Sequence, residues 1–337
     1  MDISAVERVL RDNIDGFSGP VTAEKTASGQ SNPTYILSTQ GKKYVLRSKP
    51  LGDLLKSAHA VDREFRVLSA LSKQGLPVPH PYFLSEDLSV TGTMFYVMDF
   101  SEGRNFNDPR LNDKSAADRL VIYDAMNAGL VAIHSVDLAA AGLQDYGKAG
   151  NYFERQLSRW TGQYRTSETE TIASMDNLIN WLTENLPPDD GVVTLVHGDW
   201  RIDNLLFDTK TNALTAILDW ELSTLGHPLA DLGSQLMQWA MPVGPDGRGL
   251  AGVDRAALGI PSDAEYIAQY AQRRGMSASP DMRFYIAFSF FRMAAILQGV
   301  KKRALDGNAS NPEKGLKLGT YVGFCAQSGL DTANEGS

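Results

Sequence analysis

The sequence predicts an α+β protein of two lobes, a small β-rich lobe over residues 1–100 and a larger, mainly helical lobe over residues 101–337. Short strand-like segments around two helices fill the first hundred residues, and the rest reads as mostly helical. Between them, Asp99-Phe100-Ser101-Glu102-Gly103 follows an apolar strand and reads as a linker. A chain of 337 residues with 43% hydrophobic and 21% charged side chains can bury a sizeable core.

Ile3, Val6, Val9, Leu10 and Ile14 share one helical face, so an amphipathic helix opens the chain. Val21 to Lys25, Thr34 to Ser38 and Lys43 to Arg47 then predict a three-stranded meander, with Gln40-Gly41 as the second turn. Its first connection is the polar loop Ser28-Gly29-Gln30-Ser31-Asn32-Pro33. Ser57 to Leu71 is helical through Val61, Phe65, Leu68 and Leu71. Pro77, Pro79 and Pro81 break that helix and lead into an extended pair ending at Met94 to Met98.

Helices follow at about 115–138, 151–163, 170–186, 228–240, 262–274 and 280–304, with short strands near 204–208 and 214–219. Pro187-Pro188-Asp189-Asp190-Gly191 is the clearest loop. The tail after Ser328 is expected to be mobile.

A net charge of −8 argues against nucleic-acid binding, which draws its affinity from basic surface. The acidic N-terminus is not a secretory signal, and the apolar stretch Tyr285 to Val300 is broken by Arg292, so no membrane association is expected. The lone Cys325 allows no internal disulfide and no thiolate metal site, and the cytoplasm is the default location. No Walker loop and no Gly-x-Ser-x-Gly elbow occur, which excludes P-loop enzymes and that class of hydrolase.

The chemistry concentrates in Val196-His197-Gly198-Asp199-Trp200-Arg201-Ile202-Asp203-Asn204 and, further on, Ile217-Leu218-Asp219-Trp220-Glu221. In-line phosphoryl transfer needs one carboxylate to orient and deprotonate the attacking hydroxyl, and hard oxygen ligands for Mg²⁺. Asp199 fits the first role, and Asn204 and Asp219 fit the second. Backbone amides of Ser28, Gly29, Gln30, Ser31 and Asn32 can face a phosphate, or the segment is an ordinary hairpin loop. Arg47 on the third strand and Glu64 on the next helix suit a phosphate-holding pair, or a surface ion pair. His134 reads as a packed histidine, His59 and His80 have no metal-ligand spacing, and Trp200 and Trp220 read as packing beside the acid loops.

His197-Gly198-Asp199 with Asn204, Asp219-Trp220-Glu221 and Gly226-His227-Pro228-Leu229-Ala230-Asp231-Leu232 resembles the aminoglycoside phosphotransferase/choline kinase family. Gly29 to Tyr35, Tyr44 to Arg47, Ser57 to Val61 and Leu218 to Gly226 resemble a branch of it that also occurs fused to acyl-CoA dehydrogenase domains. The resemblance covers roughly residues 20 to 300 and implies a two-lobed protein-kinase-like fold, with ATP or GTP and Mg²⁺ as cofactors. It implies Asp199 as catalytic base, Asn204 and Asp219 as Mg²⁺ ligands, and Met98, Asp99 and Phe100 as the hinge that meets the adenine. Arg47 stands where the kinase fold usually has a lysine, with Glu64 as partner, and Asp231 resembles the carboxylate that braces the catalytic loop. His227 departs from the family's usual Asp, a change expected to affect local packing alone. Arg201 stands where many protein kinases place a lysine on the transferred phosphate; its alternative is an ion pair with Asp203.

The resemblance implies a small-molecule hydroxyl as the acceptor. Lys301, Lys302, Arg303, Lys314 and Lys317, against Asp306 and Glu313, suggest a basic rim. Such a rim suits an anionic acceptor, for which the branch suggests a hydroxyacyl-CoA thioester. A cationic aminoglycoside or choline-type acceptor and a nucleotide-binding pseudokinase scaffold stand as alternatives.

Overall fold

A computed structural model describes residues 1–26, 32–50, 60–244, 248–309 and 311–335. The small lobe opens with α1 (Ile3–Asn13), capped by Asp2, whose carboxylate accepts from the Ser4 and Ala5 amides. The strands β1 (Thr22–Lys25), β2 (Thr34–Ser38) and β3 (Lys43–Ser48) form the expected meander. Then come α2 (Val61–Lys73), β4 (Pro81–Ser85), the single turn α3 (Leu88–Thr91) and β5 (Phe95–Asp99). The five strands make one antiparallel sheet in the order β1-β2-β3-β5-β4.

Side-chain alternation assigns the two faces of this sheet. Tyr44 and Leu46 of β3, with Phe95 and Val97 of β5, pack under Val6 and Leu10 of α1. Tyr96 and Met98 turn to the other face, against Val61, Val67, Leu68 and Leu71 of α2. Val45 and Arg47 share that second face, which aims Arg47 at α2.

The larger lobe is built on α4 (Ala116–His134), α5 (Tyr152–Ser167) and α6 (Ala173–Glu184). The short strands β6 (Thr194–Val196), β7 (Leu205–Phe207), β8 (Leu214–Ile217) and β9 (Thr224–Gly226) pair as β6-β9 and β7-β8. After them run α7 (Leu229–Ala240), α8 (Arg255–Leu258), α9 (Asp263–Arg273), α10 (Arg283–Leu305), α11 (Pro312–Gly319) and α12 (Val322–Asn334). A second core joins α5, α6, α10 and α12 through Phe153, Leu178, Phe288, Phe290 and Cys325. Among the described residues no helix is long and apolar enough to cross a membrane.

Three expectations change. The segment after Ser328 belongs to α12, a packed helix whose Ala326, Gly329 and Ala333 are buried. Its small residues are the reason: a Cβ on Gly329 would stand 2.7 Å from Leu178 Cδ2, so the helix seats only because that atom is missing. Helix α2 begins at Val61, and Ser57, Ala58 and His59 lie outside the described residues. The basic run is partly neutralised, because Lys301 pairs with Glu170 and Lys302 with Asp306 at 2.5 Å.

Candidate functional site

Two loops meet at the top of the larger lobe, and short hairpins explain why. Leu205 pairs with Ile217 across β7-β8, and the Leu218 amide donates to the Asn204 carbonyl at 2.8 Å. That register sets Asn204 and Asp219 side by side although they are separated in sequence. On the other flank Val196 pairs with Thr224, so β6 delivers His197 to the same place.

His197 locks the loops together. Its Nε2 donates to the Leu218 carbonyl at 2.9 Å, while Nδ1 accepts from the Asp199 amide at 3.3 Å, which fixes the tautomer. Its ring lies 4.8 Å from Trp220 and 5.8 Å from Trp200, both nearly inaccessible, so the two tryptophans pack the loops from below as expected. Gly198 sits at φ +83°, and a Cβ there would approach the Leu222 carbonyl to 2.4 Å. Only glycine lets the two loops touch at that point.

Asp231 on α7 holds the first loop from behind. It accepts from the His197 amide at 2.6 Å, the Gly198 amide at 2.9 Å and His134 Nε2 at 3.2 Å. Burial pushes the Asp231 carboxyl up, but the hydrogen bonds it accepts from His134 and from the Gly198 amide outweigh this, leaving it below the usual range. His134 itself is fully packed, with Nδ1 accepting from the Tyr270 hydroxyl at 2.8 Å. Burial lowers its imidazole below the ordinary 6.5, against the opposing pull of Asp231.

The unfolded chain therefore binds a proton at His134 that the folded one refuses. Stability from this group is complete above pH 6.5 and is lost as pH falls. His134→Gln, which keeps a donor, should flatten the acid side of a urea-midpoint profile between pH 7.5 and 5.5. The difference is at most about 1.4 kcal/mol per pH unit. An unchanged profile would remove His134 from the pH dependence.

Asp199 and its neighbours form a tight polar group. Asn204 Nδ2 donates to the Asp199 carbonyl at 2.9 Å and to its Oδ2 at 3.1 Å, so the amide oxygen of Asn204 is turned away from Asp199. Arg201 Nε lies 3.3 Å from Asp199 Oδ2 and 3.1 Å from Asp203 Oδ1. Arg201 thus pairs with Asp203, as the alternative reading has it, and also stands beside Asp199. Asp219 adopts φ +64°, a left-handed conformation uncommon outside glycine, asparagine and aspartate.

Arg47 reaches across from the small lobe. Its Nε is 2.9 Å from Glu64, and one Nη is 2.8 Å from Asp219 and 3.4 Å from Glu221. Burial alone would lower the guanidinium, but Glu64 and Asp219 more than reverse this and raise it. Burial pushes the Glu64 carboxyl up to about 7; Arg47 opposes the rise, and the charges of Asp219 and Glu221 add to it. All three carboxylates lie against the Arg47 guanidinium, and Glu64, the most buried of them, feels the like charge of the other two. Glu64, Asp219 and Glu221 lie close enough to hold a cation, but Arg47 already occupies that role. The oxygen donors that fit a hard divalent ion are the outward amide oxygen of Asn204 and the second carboxylate oxygen of Asp219.

The remaining expected residues divide. Ser28, Gly29, Gln30 and Ser31 lie outside the described residues. Asn32 is fully buried with its amide 3.4 Å from Glu221, facing the acid cluster rather than an open cleft. Met98 is buried in β5 opposite Val45. The Asp99 amide donates to the His80 carbonyl at 2.9 Å and the Phe100 amide to the Lys43 carbonyl at 3.4 Å, so both are engaged by the sheet. His227 stacks on Tyr285 with rings 5° from parallel and bonds Asp190, a packing role as expected.

Sequence reasoning missed Arg292 of α10, whose guanidinium donates to the Gly198 carbonyl at 3.3 Å. Its one available signal was a charge inside an apolar helix, read there as an interruption.

A small sheet lobe over a helical lobe, with paired acid loops between them, defines the class of kinase-like phosphotransferases. The family model described as the phosphotransferase enzyme family matches residues 22–285, and the chain belongs to that family. Mouse acyl-CoA dehydrogenase family member 10 is 46% identical over 309 residues, covering 91% of this chain and 29% of its own length. Chicken acyl-CoA dehydrogenase family member 11 is 42% identical over 337 residues, with 98% and 43% covered. The chain thus spans less than half the length of the curated relatives it matches.

A crystal structure from Ralstonia eutropha JMP134, provisionally assigned as an aminoglycoside phosphotransferase, superposes with a TM-score of 0.90 at 46% identity, covering 99% of this chain and 98% of that one. The aminoglycoside phosphotransferase APH(4)-Ia, solved with ADP and hygromycin B, superposes at 0.65 with 15% identity over 99% and 100%, a likeness of fold.

Proposed function

We propose that this protein moves the γ-phosphate of ATP, or of GTP, to a hydroxyl of a small anionic molecule, with a hydroxyacyl-CoA thioester as the acceptor class. The observation that carries the transfer reaction is the convergence of Asp199, Asn204 and Asp219 on one edge of the two acid loops. In this reading Asp199 orients the acceptor hydroxyl and takes its proton. Asn204 and Asp219 hold Mg²⁺, which when bound neutralises the phosphate charge. Arg201, already beside Asp199, faces the phosphoryl group in flight. Arg47, braced by Glu64, orients Asp219 and meets the inner phosphates, the backbone amides of Ser28 to Asn32 would face them, and Met98 to Phe100 border the adenine. The reaction needs neither nucleic acid nor a membrane, and the cytoplasm is its proposed location.

The acceptor class rests on the relatives, which are acyl-CoA dehydrogenase family members at 46% and 42% identity. Lys301 and Lys302 add little to it because each already has a carboxylate. Mg²⁺-dependent transfer from ATP should be measured with 4-hydroxybutyryl-CoA, choline and kanamycin side by side. The thioester is expected to lead in kcat/KM by about tenfold or more, the ratio that roughly 1.4 kcal/mol of differential transition-state binding produces. Preference for kanamycin or choline would overturn the acceptor. Nucleotide binding without turnover of any of the three would favour a scaffold over an enzyme.

A further inference from the structure

One part of the larger lobe carries cations that the phosphate chemistry does not use. Arg159 on α5 and Arg292 on α10 both stand against the indole of Trp160, with their guanidinium carbons 5.5 and 5.7 Å from its ring centroid. Two like charges on one ring repel each other, and a shared counterion is what would relieve them. Among the described residues neither has a carboxylate partner: Arg159 has only its ring contact, and Arg292 has the ring and the Gly198 carbonyl. The Arg292 Nε is buried with no hydrogen-bond partner.

Arg155, one turn before Arg159 on α5, is held by the Lys148 and Ala149 carbonyls, which leave its charge uncompensated. Lys148, Arg155 and Arg159 line an open cavity of about 680 Å³, with Glu154 and Asp189 as its acidic members. Asp189 is engaged there, accepting from the Asn151 amide at 2.9 Å. On a chain with net charge −8, unpaired guanidinium groups gathered at one place stand out. They also lead inward: the cavity reaches Arg159, Arg159 shares Trp160 with Arg292, and Arg292 touches the residue before Asp199.

We propose that Arg159 and Arg292, set on Trp160, form a subsite for a phosphate or diphosphate group of the acceptor, anchoring that molecule beside Asp199. The planar fork of arginine suits such a group, and an anion beside Trp160 answers guanidinium charges that no described carboxylate pairs with. Anchoring the acceptor by a remote anion leaves its hydroxyl end to be oriented by Asp199, so the subsite governs KM for the acceptor more than the chemical step. The inference rests on the phosphotransferase reading of Asp199 for its meaning, but its test reads anion binding directly.

The full chain is titrated with inorganic pyrophosphate in a thermal-shift assay, with Mg²⁺ and a saturating nonhydrolysable ATP analogue filling the nucleotide cleft. Wild type should be stabilised. Arg159→Ala, which removes an exposed side chain with no backbone contact, should weaken the apparent affinity about 10- to 100-fold while leaving the ligand-free melting temperature unchanged. Arg303→Ala, an exposed cation near the far end of α10, should bind as wild type does. In turnover, Arg159→Ala should raise KM for 4-hydroxybutyryl-CoA with kcat nearly kept, and Arg292→Lys should recover part of what Arg292→Ala loses. Comparing the thioester with its 3′-dephospho form tells which source fills the subsite: a loss specific to the 3′-phosphate assigns that group, and no loss assigns the diphosphate. Equal pyrophosphate affinity in wild type and Arg159→Ala, or an equal loss in Arg303→Ala, overturns the subsite. Failure of the analogue to stabilise wild type would instead sink the nucleotide reading, and pyrophosphate titrated alone would still report on the arginines.

Discussion

Replacing Asp199 by asparagine should lower phosphoryl transfer by about two to four orders of magnitude, the usual worth of a positioned general base. Nucleotide binding and melting temperature should change little. The side chain is near-isosteric and partly exposed, and its amide can still face Arg201 and Asn204. The loop does not depend on the carboxylate for its shape, because Asp231 and His197 hold its backbone. Loss of turnover together with loss of the fold would contradict this, and so would turnover within threefold of wild type. The paired measurement is initial-rate kinetics beside nucleotide binding by calorimetry.

The largest expected effect on stability is at Arg47. Truncation to alanine takes from Glu64, 1% exposed, the guanidinium it shares with Asp219 and Glu221, and leaves it facing their charges. Breaking a buried pair from one side costs about 3–5 kcal/mol, chiefly through the charge left behind. Glu64 has a way to escape that charge, since burial already raises its carboxyl and protonation would remove the repulsion. Arg47→Ala should therefore be most destabilised at pH 8 and partly recover at pH 6. Adding Glu64→Gln should restore much of the loss, because the amide keeps the Tyr96 hydroxyl as a neighbour without the charge. A double-mutant cycle in urea checks this; strictly additive losses would show that the two side chains do not share the energy assigned to them.

What the sequence disclosed follows from how local each feature is. Asp199 and Asn204 fall in one segment and Asp219 in a second, each with its own flanking pattern, so spacing alone suggested their roles. The sheet was readable because β3 alternates over six residues and β2 and β5 carry short apolar runs. The strands β6 and β9 are three residues each, too short for any period to show. The partner that neutralises Lys301 is Glu170, distant in sequence and brought near by the packing of α10 on α5 and α6. Arg292 is the same lesson in reverse. Within its own helix it is a flaw in an apolar run, and only the fold reveals the carbonyl and the indole that it serves.

The grip of Asp231 on the catalytic loop has an evolutionary reading. The loop's shape is decided by a buried helix residue and two histidines, none of which belongs to the cationic face on α5 and α10. Apart from Arg292, which touches the Gly198 carbonyl, the residues of that face can drift one by one while the loop keeps its shape. In the reading proposed above, shared loop sequence records a common reaction chemistry, and the choice of what receives the phosphate is written elsewhere, on the outer faces of two helices.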